Sequence, residues 1–181
     1  MDLLRTTALV AATITMGLMA GLFYAFGCSV MIGLRQAGDR TFVEAMQRIN
    51  VGILNGWFAL IFGGSLVFTG LTGAMHLGAD TDGVRLWVGG AFILYAAALA
   101  VTFMVNIPLN NELDAVGEPG TAAEAAAARE GFERRWVRWN LVRAVASTAA
   151  FGCLVFGRSC CTGSDPADHI AGRVASASPT G

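Results

Sequence analysis

The sequence predicts an all-α fold, an antiparallel bundle of four transmembrane helices. Of its 181 residues, 55% are hydrophobic and only 14% are charged, whereas a soluble domain usually carries about 25% charged residues. The apolar residues form four long stretches separated by polar segments. Each stretch is close to the roughly 20 residues that a helix needs to cross a bilayer. Four spans with their connections use the whole length, so we expect no second folded domain.

The first three predicted spans cover about residues 6–34, 50–77 and 86–105. The apolar core of the first is longer than the roughly 7–15 residues of a cleavable signal, so we interpret it as a retained span. A short loop of turn-forming residues, 78–83, separates the second span from the third. This loop predicts a tight antiparallel pair of helices.

The fourth predicted span covers about residues 137–157. The transmembrane domain is therefore predicted to comprise residues 1–158. The remaining residues, 159–181, are rich in Ser, Gly, Asp and Pro, a composition typical of a disordered tail. Small residues recur four apart at Gly17 and Gly21 and at Gly52 and Gly56. This spacing favours close helix packing, within one chain or in a dimer, and leaves the oligomeric state open.

Short interfacial helices are predicted in the first and third loops. In the first loop, Asp39 or Thr41 is a suitable N-cap, and in the third the sequence TAAE at 121–124 is a capping box. Arg129 and Glu133 follow at the four-residue spacing of an exposed helical ion pair. We interpret this part of the third loop as a solvated helix face.

The charge pattern predicts an orientation and excludes one class of partner. The net charge is -1, and there is no basic run of the kind that binds nucleic acid. The first and third loops hold seven arginines, Arg35, Arg40, Arg48, Arg129, Arg134, Arg135 and Arg138, and the opposite side holds four, Arg5, Arg85, Arg158 and Arg173. By the positive-inside rule both termini face outward. An arginine-, alanine- and glycine-rich composition is typical of a GC-rich bacterial genome, so we expect a bacterial plasma membrane.

Polar residues converge at one membrane face, where the first and third spans end and the second and fourth begin. They are Tyr24 from the first span, Gln47, Asn50 and Asn55 entering the second, Asn106 and Asn110 leaving the third around Pro108, and Trp136, Trp139, Asn140 and Arg143 on the fourth. Buried amides in a bilayer need partners. A shared polar network is therefore predicted at this face.

Arg143 is the most informative of these residues. It lies about one and a half turns inside the fourth span, where an unpaired charge costs at least roughly 2.5 kcal/mol. Trp136, Asn140 and Arg143 share one helical face. This spacing predicts an Arg143 that turns inward beside Asn140. The alternative is an arginine that snorkels to the headgroups within an interfacial tryptophan belt.

The sequence contains no motif for metal binding, disulfide redox chemistry, phosphate binding or a serine nucleophile. The four cysteines, Cys28, Cys153, Cys160 and Cys161, lack metal or redox spacing, and His76 lies alone at the opposite membrane face. The sequence contains neither a glycine-rich phosphate loop nor a nucleophile elbow. We therefore predict that the protein uses no metal and no other cofactor. The spans also lack acidic residues, which argues against an ion-driven transporter.

Three segments resemble a family of small four-helix membrane proteins that includes anthrone oxygenases. They are FVEAMQRIN at 42–50, NIPLN at 106–110 and FERRWVRWNLVR at 132–143. The resemblance extends over about residues 5–158. It implies a cofactor-independent oxidation of a lipophilic polycyclic aromatic substrate, an anthrone, to an anthraquinone by O2.

Under this resemblance, eight of the ten polar residues at the shared face have an expected role. Arg143, Asn50 and Asn106 are the predicted catalytic residues, which stabilise the ionised anthrone. The predicted substrate-binding residues are Tyr24, Asn110, Trp136, Trp139 and Asn140. Glu44 and Glu112 lie near the same face as candidate general bases, but neither has a feature that assigns it. The alternative is a membrane protein without enzymatic activity, which binds or moves a lipophilic molecule or serves as a subunit of a complex.

Overall fold

A computed structural model describes residues 2–77 and 82–162, and every regular element in these two ranges is helical. The elements are α1 (Asp2–Ala25), a π-helical turn π1 (Phe26–Val30), α2 (Met31–Arg35), α3 (Asp39–Gly52), α4 (Gly56–Met75), α5 (Asp82–Val101), a second π-helical turn π2 (Thr102–Asn106), α6 (Ile107–Ala115) and α7 (Ala122–Thr162). Four stretches are long and apolar enough to cross a membrane: Leu3–Arg35, Gly56–Met75, Gly83–Ala115 and Ala122–Ser159. The predicted all-α fold with four membrane-spanning helices is confirmed.

The four long helices form a ring in which neighbours run antiparallel. Helix α7 packs against α1 and α5, while α4 packs mainly against α1 and less extensively against α5. Asn140 contacts the carbonyl of Phe23, whereas Phe151 lies beside Gly17, so α1 and α7 run in opposite directions. The predicted pair of second and third spans is antiparallel but is not the tightest pair. Most of its connecting loop, residues 78–81, lies outside the described residues.

The interior contains two hydrophobic clusters at different depths. The bundle cluster, which includes Met16, Phe23 and Tyr95, fills the space between the four long helices. The loop-side cluster, which includes Phe42 and Trp136, packs α3 and α6 against α7. The polar residues described below lie where these two clusters meet.

The second span begins later than the sequence predicts, because the chain breaks between α3 and α4. Asn55 is the N-cap of α4, and its side-chain oxygen accepts a hydrogen bond from the backbone N–H of Phe58 at 3.1 Å. A side chain of this type satisfies one of the free N–H groups at a helix start. Asn50 therefore lies on α3, the interfacial helix, and not on the span itself.

The predicted cap of α3, Asp39 or Thr41, is wrong, and Asp39 has another partner. Gly38 is the N-cap and makes no side-chain hydrogen bond. Asp39 instead lies in the first turn and accepts a hydrogen bond from Arg129 of α7 at 3.0 Å. A carboxylate in the first turn of a helix also interacts favourably with the helix dipole.

The third span continues past Pro108 as a helix to Ala115. A proline inside a regular helix removes one hydrogen bond and clashes with the preceding turn. Here the wider turn π2 comes directly before Pro108, with the N–H of Ile107 bonded to the carbonyl of Thr102. This turn changes the hydrogen-bonding register where the proline enters, so the helix is not interrupted.

The fourth span and the helix predicted in the third loop form one continuous helix, α7, of 41 residues. The capping box is confirmed, since the N–H of Glu124 donates to Oγ1 of Thr121 at 3.2 Å and the N–H of Thr121 donates to Oε2 of Glu124 at 3.3 Å. A helix of this length extends about 60 Å, roughly twice the thickness of the hydrocarbon core. The start of the predicted tail is helical to Thr162, and the rest lies outside the described residues.

The Arg129 and Glu133 pair is present, but it is not a solvated pair as predicted. Their side chains approach to 2.8 Å, and that of Arg129 is only 16% exposed. Arg129 also donates to Asp39 and to the carbonyls of Ala37 and Arg35 at 3.0 to 3.1 Å. These bonds attach the turn between α2 and α3 to α7.

Candidate functional site

A cavity of about 650 Å³ lies at the membrane face where the sequence predicts the polar network. All four long helical stretches and α3 contribute to its wall. Its lining includes Phe23 and Phe26 from the first stretch, Asn50 from α3, Asn55, Phe58 and Phe62 from α4 and its cap, Thr102, Phe103, Asn106, Asn110, Asn111 and Asp114 from the third stretch, and Trp136 and Arg143 from α7. A volume of this size accommodates a small organic molecule, since ligand pockets are usually about 300–1,000 Å³.

Arg143 lies inside the bundle and is only 6% exposed. Its Nη2 donates to Oδ1 of Asn140 at 2.9 Å, and its guanidinium lies 4.4 Å from the ring centroid of Phe23 and 5.4 Å from that of Trp136. A cation over aromatic faces is stabilised by the ring quadrupole. The predicted inward orientation and the contact with Asn140 are confirmed, and the snorkelling alternative is wrong.

Asn140 holds Arg143 in position through a contact with the neighbouring helix. It is buried, and its Nδ2 donates to the backbone carbonyl of Phe23 at 2.9 Å. Both ends of the amide are therefore engaged, one by α1 and one by Arg143. The amide orients the arginine from behind the cavity and does not itself line it.

Asn106 and Asn110 line the cavity and contact Trp136 of α7. Asn106 is 1% exposed, and its Nδ2 makes a long hydrogen bond of 3.5 Å to the carbonyl of Trp136. The indole N–H of Trp136 donates to Oδ1 of Asn110 at 2.8 Å. These contacts fix the tryptophan ring, which stacks on Phe132 and lies beside Phe26.

Three buried polar atoms of the cavity residues have no hydrogen-bond partner. They are Nδ2 of Asn50, Oδ1 of Asn106 and Nε of Arg143. An unsatisfied buried polar atom costs about 1–3 kcal/mol, and such atoms are rare in folded proteins. Two of the atoms are donors and one is an acceptor. The cavity is therefore suited to a molecule that accepts at one position and donates at another.

Tyr24 and Trp139 do not lie where the sequence predicts. The side chain of Tyr24 is 64% exposed on the outside of α1, and Trp139 is half-buried; neither lines the cavity. Adjacent helical positions differ by about 100°, so the inward position of Phe23 turns Tyr24 away, and that of Asn140 does the same for Trp139. Their predicted role in substrate binding therefore has no support from the lining of this cavity.

The two glutamates considered as general bases do not reach the cavity. Glu44 pairs with Arg40 at 3.0 Å and lies 3.8 Å from Arg48, and Glu112 lies 4.0 Å from Arg135. The hydrogen bond from Arg40 to Glu44, together with one to Glu118, raises the pKa of Arg40 above its usual value. These glutamates therefore belong to the charged outer surface.

The sequence prediction missed Asn111 and Asp114, which line the cavity from α6. Asn106, Asn110 and Asp114 are spaced by four residues, the spacing of one helical face. This spacing is visible in the sequence, but it places the three residues on one face only if the helix continues beyond Pro108.

Other titratable groups lie apart from this cavity. Within residues 2–77 and 82–162, no group of three His, Cys, Asp or Glu side chains is arranged to hold a metal ion. His76 is buried at the opposite end of α4, with Nδ1 2.8 Å from the carbonyl oxygen of Thr72.

Comparison with known proteins places the chain in a family. A family model described as anthrone oxygenase matches residues 57–153, which is 97 of the 181 residues. The matched stretch covers α4, α5, α6 and much of α7, including Asn106, Trp136 and Arg143. Searches of curated proteins and of solved structures found no match. The chain therefore belongs to the anthrone oxygenase family.

Proposed function

We propose that this protein oxidises a lipophilic polycyclic aromatic ketone of the anthrone type with O2, in the cavity beside Arg143. The observation that carries the proposal is the buried arginine itself, whose Nε has no partner and belongs to a cavity residue. A buried cation with a free N–H next to a cavity is suited to an anionic oxygen. Membership of the family supports the choice of substrate class.

The walls of the cavity suit a flat aromatic ligand. Six of its lining residues are aromatic: Phe23, Phe26, Phe58, Phe62, Phe103 and Trp136. Aromatic side chains bind ring systems through stacked and edge-to-face contacts in addition to the burial of apolar area. A polycyclic ketone would therefore place its rings against these side chains and its oxygen near Arg143.

The donors and the acceptor suit the chemistry of an ionised anthrone. Loss of a proton from the CH2 carbon opposite the carbonyl places negative charge on the ketone oxygen. Nε of Arg143 and Nδ2 of Asn50 are the free donors for that oxygen, and Oδ1 of Asn106 is a free acceptor for a hydroxyl on the ligand. Donors that are already in place when the charge develops lower the barrier most effectively.

The overall reaction balances without another reductant. The CH2 carbon loses two hydrogens and gains one oxygen atom from O2, and the second oxygen atom leaves as water with those two hydrogens. Because the electron-rich anion supplies the electrons, the protein needs to bind the ketone, stabilise its anion and accept and return protons.

Oxygen uptake by the purified protein tests this proposal. We expect the protein in detergent to consume one O2 per anthraquinone formed, faster than the spontaneous reaction in empty micelles. An Arg138→Ala variant, which alters an exposed arginine of the same helix, should behave as the wild type does. Saturable binding of anthrone without oxygen uptake would contradict the proposed oxygenase activity. It would indicate that the protein binds or carries the molecule instead.

We further propose that the cavity opens toward the cytoplasm of a bacterial cell, with both termini outside. The support is the excess of arginines in the loops at the cavity side. Reporter fusions after residues 38 and 120 should be active only in the cytoplasm, and one after residue 78 only outside. The opposite pattern in all three fusions would show that the arginine distribution does not set the orientation.

A further inference from the structure

The proposed reaction needs a group that accepts a proton from the substrate carbon. Among the described residues that line the cavity, the one carboxylate is that of Asp114, near the end of α6. Arg143 is the one cation among the same residues. The cavity thus combines an anion-stabilising group with one group able to take up a proton.

The other described carboxylates at this membrane face form ion pairs, cap a helix or lie on the outer surface. Glu44 and Glu118 pair with Arg40, and Glu133 pairs with Arg35 and Arg129. Asp39 pairs with Arg129, Glu112 lies near Arg135, and Glu124 caps α7. Glu130 lies on the charged outer surface of α7. The side chain of Asp114, by contrast, forms no hydrogen bond or ion pair within the described chain.

The backbone on both sides of Asp114 is held in place. Nε2 of Gln47 on α3 donates to the carbonyls of Leu113 and Gly117, both at 2.9 Å. The side chain of Leu113 is buried in the loop-side cluster. A polar contact from α3 and an apolar anchor therefore position Asp114, which is itself exposed and lines the cavity.

Asp114 lines the same cavity as Asn106 and Asn110, further along the third stretch. Asp114 follows Asn106 by eight residues on the same helical face, a separation of about 12 Å along the helix axis. A ligand that places its ketone oxygen at Nε of Arg143 and a ring hydroxyl at Oδ1 of Asn106 lies between Arg143 and the third stretch. Its CH2 carbon, across the central ring from the ketone oxygen, would then lie on the side of the cavity that α6 lines.

We infer that Asp114 is the general base of the proposed reaction, and this inference rests on the proposed function. Asp114 takes one proton from the CH2 carbon, and the electron pair of the broken C–H bond delocalises onto the ketone oxygen beside Arg143. The anion is oxidised by O2, which is reduced as the new C–O bond forms. Asp114 returns its proton to the outer oxygen, giving a hydroperoxide.

The same carboxylate completes the reaction. It takes the second proton from that carbon as the C–O double bond forms and the O–O bond breaks. The departing hydroxide receives this proton and leaves as water. Asp114 ends as it began, as a carboxylate, so one base serves both C–H cleavages.

The test is an Asp114→Asn variant with two readouts. The first is oxidation under O2, and the second is exchange of the CH2 hydrogens for deuterium in D2O without O2, which reports proton removal alone. We expect both rates to fall about 100-fold or more, because loss of a general base typically costs a factor of 10² to 10⁴. Anthrone affinity should change less than about threefold, since the ring contacts and Arg143 are retained.

Two matched variants keep the inference falsifiable. Glu112→Gln removes a neighbouring carboxylate outside the cavity and should leave both rates unchanged, whereas Asp114→Glu should retain a measurable part of the exchange rate. Exchange in Asp114→Asn at the wild-type rate, with an active wild type, would overturn the role of Asp114 but not the oxygenase. A wild type that neither exchanges nor oxidises anthrone would overturn both.

Discussion

Replacing Arg143 by alanine is expected to lower the kcat of anthrone oxidation by about 10²–10³-fold, the usual loss when one donor to a developing oxyanion is removed. The guanidinium carries the free Nε of the cavity and the charge that stabilises the anion. Its removal leaves the aromatic walls and Asn106 in place, so the neutral ketone should still bind. The measurement is steady-state oxygen uptake together with ligand binding.

The same variant separates a role in binding from a role in folding. Arg143→Ala removes a buried charge but leaves Oδ1 of Asn140 without its partner, so the two effects on stability oppose each other. We expect an apparent Tm in detergent within a few degrees of the wild type. Arg138→Ala, on an exposed position, is the control for both assays. A variant with wild-type activity and a much lower Tm would show that Arg143 is a structural residue.

Replacing Arg129 by alanine should instead reduce stability strongly. Its guanidinium joins Glu133 and Asp39, and it also donates to the carbonyls of Ala37 and Arg35. Loss of these bonds leaves a mostly buried carboxylate, Glu133, with Arg35 alone. Because the pairs are partly exposed, we expect a loss of roughly 2–4 kcal/mol, less than for a fully buried pair.

Thermal unfolding in detergent measures this loss, with Arg134→Ala as the control. Arg134 is exposed on the same helix, and its replacement should change the apparent Tm by about a degree or less. Limited proteolysis should also cleave the Arg129→Ala variant between α2 and α3, where the wild type is held against α7. Equal apparent Tm values for Arg129→Ala and Arg134→Ala would show that this ion-pair network does not stabilise the fold.

Much of the site was predictable from the sequence, because a polar side chain inside the bilayer is unfavourable in free energy unless it has a partner. An arginine one and a half turns inside a span, with asparagine and tryptophan on its own face, has few arrangements other than an inward one. The sequence therefore predicts the contact between Arg143 and Asn140 and the membrane face at which the cavity lies. The asparagines at 50, 106 and 110 follow from the same argument, since each needs a partner away from lipid.

The wrong predictions relied on residues nearby in the chain and did not include the packing of neighbouring helices. The third span was predicted to end at about residue 105, before Pro108, but the π2 turn lets the helix continue and brings Asp114 to the cavity. Tyr24 was expected at the site because it lies near the end of the first span, yet the packing of α1 gives the inward position to Phe23. Glu44 was expected near the site, but the arginines of its own helix hold it at the surface.

The sequence by itself determined that this chain spans a membrane with four helices and that a charged residue must be compensated inside them. Hydrophobic length and the cost of burying charge are properties of residues, so they can be read along the chain. The tertiary structure decided which faces of the helices meet, which atoms remain without partners and which carboxylate reaches the cavity. Those outcomes depend on how each helix is rotated against its neighbours, and that rotation is set by packing between segments far apart in the chain.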